Sequence, residues 1–200
     1  ERNQFFNECC NSDLMVFSFY PTKPVGSSDG GMIVSNDLEK IKLLKELALN
    51  GMTSSHNNWE RTIKFPGYKM YMNSIQAEIG MNNFNMYGEK LSSLKKVRDL
   101  YNNKLGCLNT SNHLYRIEVT KRDKFIKFMK DSGISCGVHY SAAHLNPVYG
   151  EHVNNTSPNS RHYKLSEEKS ESMVSIPFHE RLTISEVNLI INKVKEYREK

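Results

Sequence analysis

The stretch Asp13-Leu-Met-Val-Phe-Ser-Phe-Tyr20, followed by Pro21, Lys23 and then Gly26-Ser-Ser-Asp-Gly-Gly31-Met-Ile-Val34, decides how this chain is read. Residues 13–20 are aromatic and β-branched enough to form a buried strand, and Pro21 ends it. Glycines 26–31 make a turn, and Met32 to Val34 are a second short strand, so 14–34 is expected to be a hairpin with an irregular tip. Lys23 sits on that tip, three residues beyond the aromatic strand. A lysine there can stand at the mouth of a pocket walled by Phe17, Phe19 and Tyr20, where lost hydration would free its amine for attack on a carbonyl. From position alone a solvated hairpin lysine is the favoured reading, and spacing leaves both open.

Working outward, Asn36 with Glu39 has the form of a capping box, opening a helix through Ala48 with the stripe Leu38, Ile41, Leu44, Leu47. Asn50-Gly51 ends it in left-handed fashion. Residues 52–72 lack helical periodicity and read as a long functional or interfacial connection holding Trp59. Asn73 and Gln76 form another capping box for a long helical region, broken near Gly88 and finished by Gly106. Beyond 112 the pattern changes. His113–Val119 and Ile134–His139 read as strands, with a helix capped by Thr120 and Asp123 between them. A helix over Leu165–Met173, a strand over Val174–Pro177 and a last helix capped by Thr183 and Glu186 complete a small α+β arrangement. The domain boundary is expected near 106–112, giving 1–110 and 111–200.

His139 and Tyr140 stand at an expected strand end, with His144 five residues on. Strand ends feeding loops often present site residues, and histidine can bind phosphate or serve as acid and base. A purely structural histidine or tyrosine fits the same positions. The five-residue spacing is not that of a helical metal pair, so no metal is expected. Cys9, Cys10, Cys107 and Cys136 match neither a zinc spacing nor a secreted framework and are expected to be reduced thiols.

Composition narrows the class. Of 200 residues, 27 are Lys or Arg and 22 Asp or Glu, a net charge of +5 spread along helices rather than gathered on one element, so no nucleic-acid partner is expected. No apolar run approaches the roughly 18 residues of a membrane span, and no leader is recognisable, so a cytoplasmic location is expected. Walker, Rossmann, G-x-S-x-G and H-E-x-x-H motifs are absent.

The strings 17–23 and Ser28-Asp-Gly-Gly-Met-Ile-Val-Ser-Asn-Asp37 resemble the cofactor-lysine region of DegT/StrS-type nucleotide-sugar aminotransferases. Three further stretches fall in the family's order. Pro66-Gly-Tyr-Lys-Met-Tyr-Met-Asn-Ser-Ile-Gln-Ala-Glu-Ile-Gly80 resembles the arm and helix at its dimer interface. Gly133-Ile-Ser-Cys-Gly-Val-His-Tyr140 with Ala142-Ala-His-Leu-Asn-Pro147 resembles its small-domain strand and substrate loop. Ser175-Ile-Pro-Phe178 and Leu182-Thr-Ile-Ser-Glu-Val187 resemble its closing strand and helix.

The resemblance implies an α/β chain, the C-terminal part of a fold-type-I transferase that uses pyridoxal phosphate. It would hold the end of a large domain with the lysine hairpin, then a small α+β domain. Lys23 would carry the cofactor and afterwards shuttle a proton, and Ser18 would hydrogen-bond the cofactor phosphate. Tyr71 would reach the cofactor of the other subunit of a homodimer. Tyr20, His139, Tyr140 and His144 would face the substrates, an amino-acid donor, usually glutamate, and a nucleotide-linked keto-sugar acceptor. Tyr71 stands where the family commonly has Asn or Arg, and Pro24 where it has Asn. The family's phosphate-binding turn, ring-stacking aromatic and pyridine-pairing aspartate lie upstream of the residues matched, so the isolated chain is expected to be inactive. A non-catalytic dimerisation or interaction module is the competing reading.

Overall fold

A computed structural model of the chain describes residues 13–54, 59–149 and 163–199. Strands β1 (Met15–Ser18) and β2 (Gly31–Val34) pair antiparallel, with Phe17 opposite Met32 and Ser18 opposite Gly31, as the aromatic and glycine pattern predicts. Helix α1 (Leu38–Ala48) follows. Its cap is Asp37 rather than the expected Asn36. The Asp37 side chain accepts from the Lys40 amide, while Lys40 Nζ lies 3.1 Å from Asp13 and 3.6 Å from Asp37. A carboxylate is favoured over an amide there because it also complements the helix N-terminus.

Asn50 and Gly51 end α1 with φ of 61° and 73°, as the Asn-Gly pair predicts. The segment 52–72 is more regular than its sequence suggests. Strands β3 (Met52–Ser54) and β4 (Arg61–Ile63) form a small antiparallel pair. Three residues are too few for an alternating pattern to declare itself. Tyr68 N–H and Met70 N–H then donate to Leu47 and Ala48 carbonyls, pinning the arm along the end of α1. Helix α2 (Ser74–Asn85) carries the expected Asn73–Gln76 capping box in full. The chain breaks at Met86 and resumes as α3 (Tyr87–Leu105).

In α3, Leu94, Val97, Tyr101 and Leu105 are buried at helical spacing. Strand β5 (Tyr115–Glu118) alternates buried and exposed side chains and pairs antiparallel with β6 (Met173–Ile176). Helix α4 (Arg122–Asp131) buries Phe125 and Met129. It starts from Lys121 in a left-handed conformation, with no Thr120–Asp123 box. The Asp123 carboxylate is taken by Arg122, whose guanidinium nitrogens lie 2.9 and 3.0 Å from it. Gly133, at φ 77°, closes the helix as expected.

Residues 134–139 do not form the expected strand. Only Gly137 bridges to Ser175, exchanging both backbone hydrogen bonds at 2.9 and 2.8 Å. The His139 ring folds back over Gly137, where a Cβ would stand 2.7 Å from it, so the chain turns instead of continuing the ladder. After a 3-10 turn at Ala143–Leu145 come α5 (Lys164–Ser172) and α6 (Ile184–Arg198). Thr183 and Glu186 cap α6 reciprocally, and Val187, Ile190, Ile191 and Val194 are buried.

The chain divides into two compact units between Tyr87 and Gly88. The division falls in the first turn of α3, whose Val97, Tyr101 and Leu105 belong to the second unit's core. No described helix is long and apolar enough to cross a membrane.

Candidate active site

The first unit presents Lys23 on the tip of the β1–β2 hairpin, and the tip is built to hold its shape. Lys23 N–H donates to Tyr20 O at 2.9 Å, Ser27 N–H to Phe19 O at 2.7 Å, and Phe19 N–H to Gly30 O at 2.8 Å. Gly26 is pressed against Pro21, where a Cβ would stand 2.5 Å from the carbonyl oxygen. Helix α2 anchors the tip from the side. Ser27 Oγ donates to Gln76 O and Asn83 Nδ2 to Gly26 O, both at 2.6 Å. Lys23 is half-buried on this scaffold, so its amine starts from a fixed root.

Ser18 and Tyr20 share that end of the hairpin. Ser18 Oγ accepts from Tyr20 N–H at 3.3 Å and is exposed, which leaves its own proton for another acceptor. Tyr20 is exposed. Phe17 and Phe19 are half-buried rather than forming a closed wall. Tyr71 lies on the arm, exposed, with Lys69 Nζ 5.9 Å from its ring centre. Lys23 and Ser18 thus place a primary amine and an exposed hydroxyl donor on one anchored hairpin.

In the second unit, His139 Nδ1 lies 2.9 Å from the buried Ser175 Oγ, and the His139 and Tyr140 rings meet edge to face at 5.1 Å. Tyr140 is exposed. A cavity of about 270 Å³ opens here, lined by His113, Cys136, Gly137, His139, Ser175 and Phe178 among others. His144 is committed elsewhere. Its Nε2 lies 2.8 Å from Glu167 Oε1 and its ring lies 4.7 Å from that of Tyr163, so it ties the 3-10 turn to α5. Ala142 N–H, donating to the buried Ser170 Oγ, adds a second tie.

The positioning residues Ser27, Asn83, Ser175 and Glu167 escape a reading of the sequence. Only Asn83 leaves a local trace, seven residues after Gln76 and so on the same face of α2. All four act on partners 23 to 57 residues away in sequence.

Residues 8–195 match the DegT/DnrJ/EryC1/StrS aminotransferase family. The chain belongs to this family. It is 27% identical to a UDP-4-amino-4,6-dideoxy-N-acetyl-beta-L-altrosamine transaminase of Helicobacter pylori, over 90% of this chain and 51% of that protein. It is 24% identical to the spore coat polysaccharide biosynthesis protein SpsC of Bacillus subtilis, over 92% of this chain and 53% of that one. Its fold matches Spr1654 of Streptococcus pneumoniae, solved in its PMP-form, with a TM-score of 0.83 at 25% identity, covering 94% of this chain and 53% of that one. The same pneumococcal protein has a solved PLP-form. Pyridoxal phosphate is the cofactor of this family. The chain spans about half the length of these relatives and corresponds to their C-terminal portion.

Proposed function

We propose that this chain carries the cofactor lysine and the second domain of a nucleotide-sugar aminotransferase, which moves an amino group from glutamate or a similar amino acid to a nucleotide-linked keto-sugar. The observation that carries this reading is Lys23, an amine rooted on a hairpin tip that Ser27 and Asn83 fasten to α2, inside the stretch matching the family.

Each residue has a task in that reading. Lys23 would hold pyridoxal phosphate through its amine, and the same nitrogen would take and return the proton at the substrate carbon. Ser18 Oγ donates to a phosphate oxygen while accepting from Tyr20 N–H. Phe17 and Phe19 shed water from the root of the lysine. Tyr71 supplies a hydroxyl donor across the interface of a cytoplasmic homodimer, and carries no positive charge in doing so. His139, oriented by Ser175, and Tyr140 meet the nucleotide-sugar. His144 contributes through Glu167 and α5 rather than by touching substrate. When bound, pyridoxal phosphate supplies the electron sink that stabilises charge at the substrate carbon. The two substrates would take turns, giving ping-pong kinetics.

The test is covalent trapping. The intact reading frame is expressed with pyridoxal phosphate, reduced with borohydride and digested. A pyridoxyl mass on the Lys23 peptide, lost in Lys23→Ala, is the expected result. An unmodified Lys23 in a folded, full-length dimer would refute the assignment and favour a non-catalytic interaction module.

A further inference from the structure

The β5–β6 sheet of the second unit turns Tyr115, Ile117, Val174 and Ile176 into the core. Arg116 and Ser175 are paired in the register and so share the opposite face. The backbone groups of Ser175 are both directed at Gly137, accepting at 2.9 Å and donating at 2.8 Å. Arg116 and Ser175 are therefore a non-hydrogen-bonded pair, the kind whose side chains stand closer, with Cα atoms about 4.5 Å apart. On the far side of Ser175 the His139 ring folds over Gly137 and brings Nδ1 to 2.9 Å from Ser175 Oγ. Ser175, only 5% exposed, thus stands between an arginine and a histidine. Because Nδ1 is engaged with the hydroxyl, Nε2 is the ring nitrogen left to donate to a ligand. Arg116 is exposed, and no carboxylate or hydrogen bond holds it among the described residues. Glu118, two residues along the same face, is occupied by Lys169 Nζ at 2.6 Å and Ser172 Oγ at 3.1 Å.

We propose that Arg116 is a specificity-determining residue of the acceptor site, binding the diphosphate of a nucleotide-linked sugar together with His139 Nε2. This assignment rests on the aminotransferase reading, which sets His139 against the nucleotide-sugar. It adds the part of the ligand that His139 meets and a second residue that meets it. A diphosphate offers two adjoining phosphoryl groups, each rich in acceptors and negatively charged. The planar fork of a guanidinium matches one of them, and an imidazole N–H can serve its neighbour. The carboxylate of the amino-acid donor is the other oxyanion of the reaction, and it fits less well. A single carboxylate is satisfied by one fork, and it lies one bond from the carbon that reacts, where water must be excluded. Arg116 is open to solvent, as suits a group remote from that carbon. In sequence Arg116 reads as an ordinary outward residue of an alternating strand, where a charged side chain is expected. Only the register with Ser175 singles it out.

The test uses the intact reading frame loaded with pyridoxal phosphate and titrated calorimetrically with uridine, thymidine and guanosine diphosphates. At least one of the three should bind. Arg116→Gln should weaken that binding by on the order of tenfold or more, as expected for the loss of hydrogen bonds between charged groups. Arg116→Lys should recover only part of the loss, since an ammonium lacks the fork. The thermal midpoint of Arg116→Gln should match that of the wild type, which separates lost affinity from lost fold. The glutamate half-reaction, followed by the change in cofactor absorbance, should keep its dependence on glutamate concentration in the same variant. Unchanged nucleotide affinity in Arg116→Gln would overturn the proposal, as would full recovery by Arg116→Lys or failure of all three nucleotides to bind the wild type. A weakened response to glutamate with nucleotide affinity intact would overturn it too, since the oxyanion is then the donor's carboxylate. Borohydride trapping on the same preparation keeps the two readings apart. An unmodified Lys23 is the failure of the aminotransferase reading, whereas a modified Lys23 with Arg116→Gln indifferent to nucleotide is the failure of this one alone.

Discussion

Burial pushes the Cys136 thiol up to about 11, against an ordinary value near 9, so at neutral pH it is held in its unreactive, protonated form. The thiolate fraction at pH 7.5 is then lower by about 100-fold than for an unperturbed thiol, since each pKa unit is a factor of ten. Iodoacetamide labelling of the Cys136 peptide, followed by mass spectrometry, should be slow at pH 7.5 and accelerate through pH 10. Rapid labelling at neutral pH would contradict the burial. Its reading as a reduced thiol was available from spacing alone, and both described cysteines, Cys107 and Cys136, are free; Cys9 and Cys10 lie outside the described residues. His144 was legible only as a polar residue near a possible site. Its partners, Glu167 and Tyr163, lie 23 and 19 residues away, beyond any local signal. His144→Ala should therefore loosen α5, raising amide exchange there at a cost of about 1 kcal/mol, before it changes anything at Lys23.

Capping divides what sequence can and cannot settle about an element. The Asn73–Gln76 and Thr183–Glu186 boxes close within four residues and were legible as such. The Thr120–Asp123 box fails because a neighbouring arginine takes the carboxylate, a competition that spacing does not show. Thr183→Ala should cost about 1 kcal/mol, read by chemical denaturation. Hydrogen bonds from the Thr183 backbone N–H and then its hydroxyl hold Glu186 below the usual carboxylate range. The folded value is the lower one, so this contribution is complete above the unfolded value of about 4.3. It is lost as pH falls through the folded value beneath it. Fraying of α6 should accordingly begin only below about pH 4, and at higher pH in Thr183→Ala. At the other end of the chain, Gly51 combines φ of 73° with a Cβ position 1.8 Å from Phe65 O. Gly51→Ala should cost well over 1 kcal/mol in α1 and β3, since strain and collision add.

At the scale of the whole molecule, periodicity tells which side chains suit burial and says nothing of what covers them. The stripe of α1 and the hairpin of 14–34 look as apolar in sequence as the stripe of α6, yet only α6 has a core to enter. The family resemblance supplied the order of the segments, and the distribution of burial supplied the asymmetry between them. This asymmetry has an optical consequence. Trp59, the single tryptophan, lies in the first unit and is 82% exposed. Tyr101 and Tyr115 lie fully buried in the second, 4.8 Å apart and tilted at 56°. Burial raises both phenols, Tyr115 to about 12, so they remain neutral and silent to titration until strongly alkaline pH or unfolding. Near-ultraviolet circular dichroism at tyrosine wavelengths should therefore report a cooperative transition of the second unit, while Trp59 emission is solvent-like from the start. Phe125 is fully buried among the core residues, and Phe125→Ala should remove about 3–5 kcal/mol. That loss should move the tyrosine midpoint and leave Trp59 emission where it was. A Trp59 emission that shifts with the same midpoint would mean that the first unit shares the second unit's cooperative core, and two-state analysis of the whole chain would then be justified.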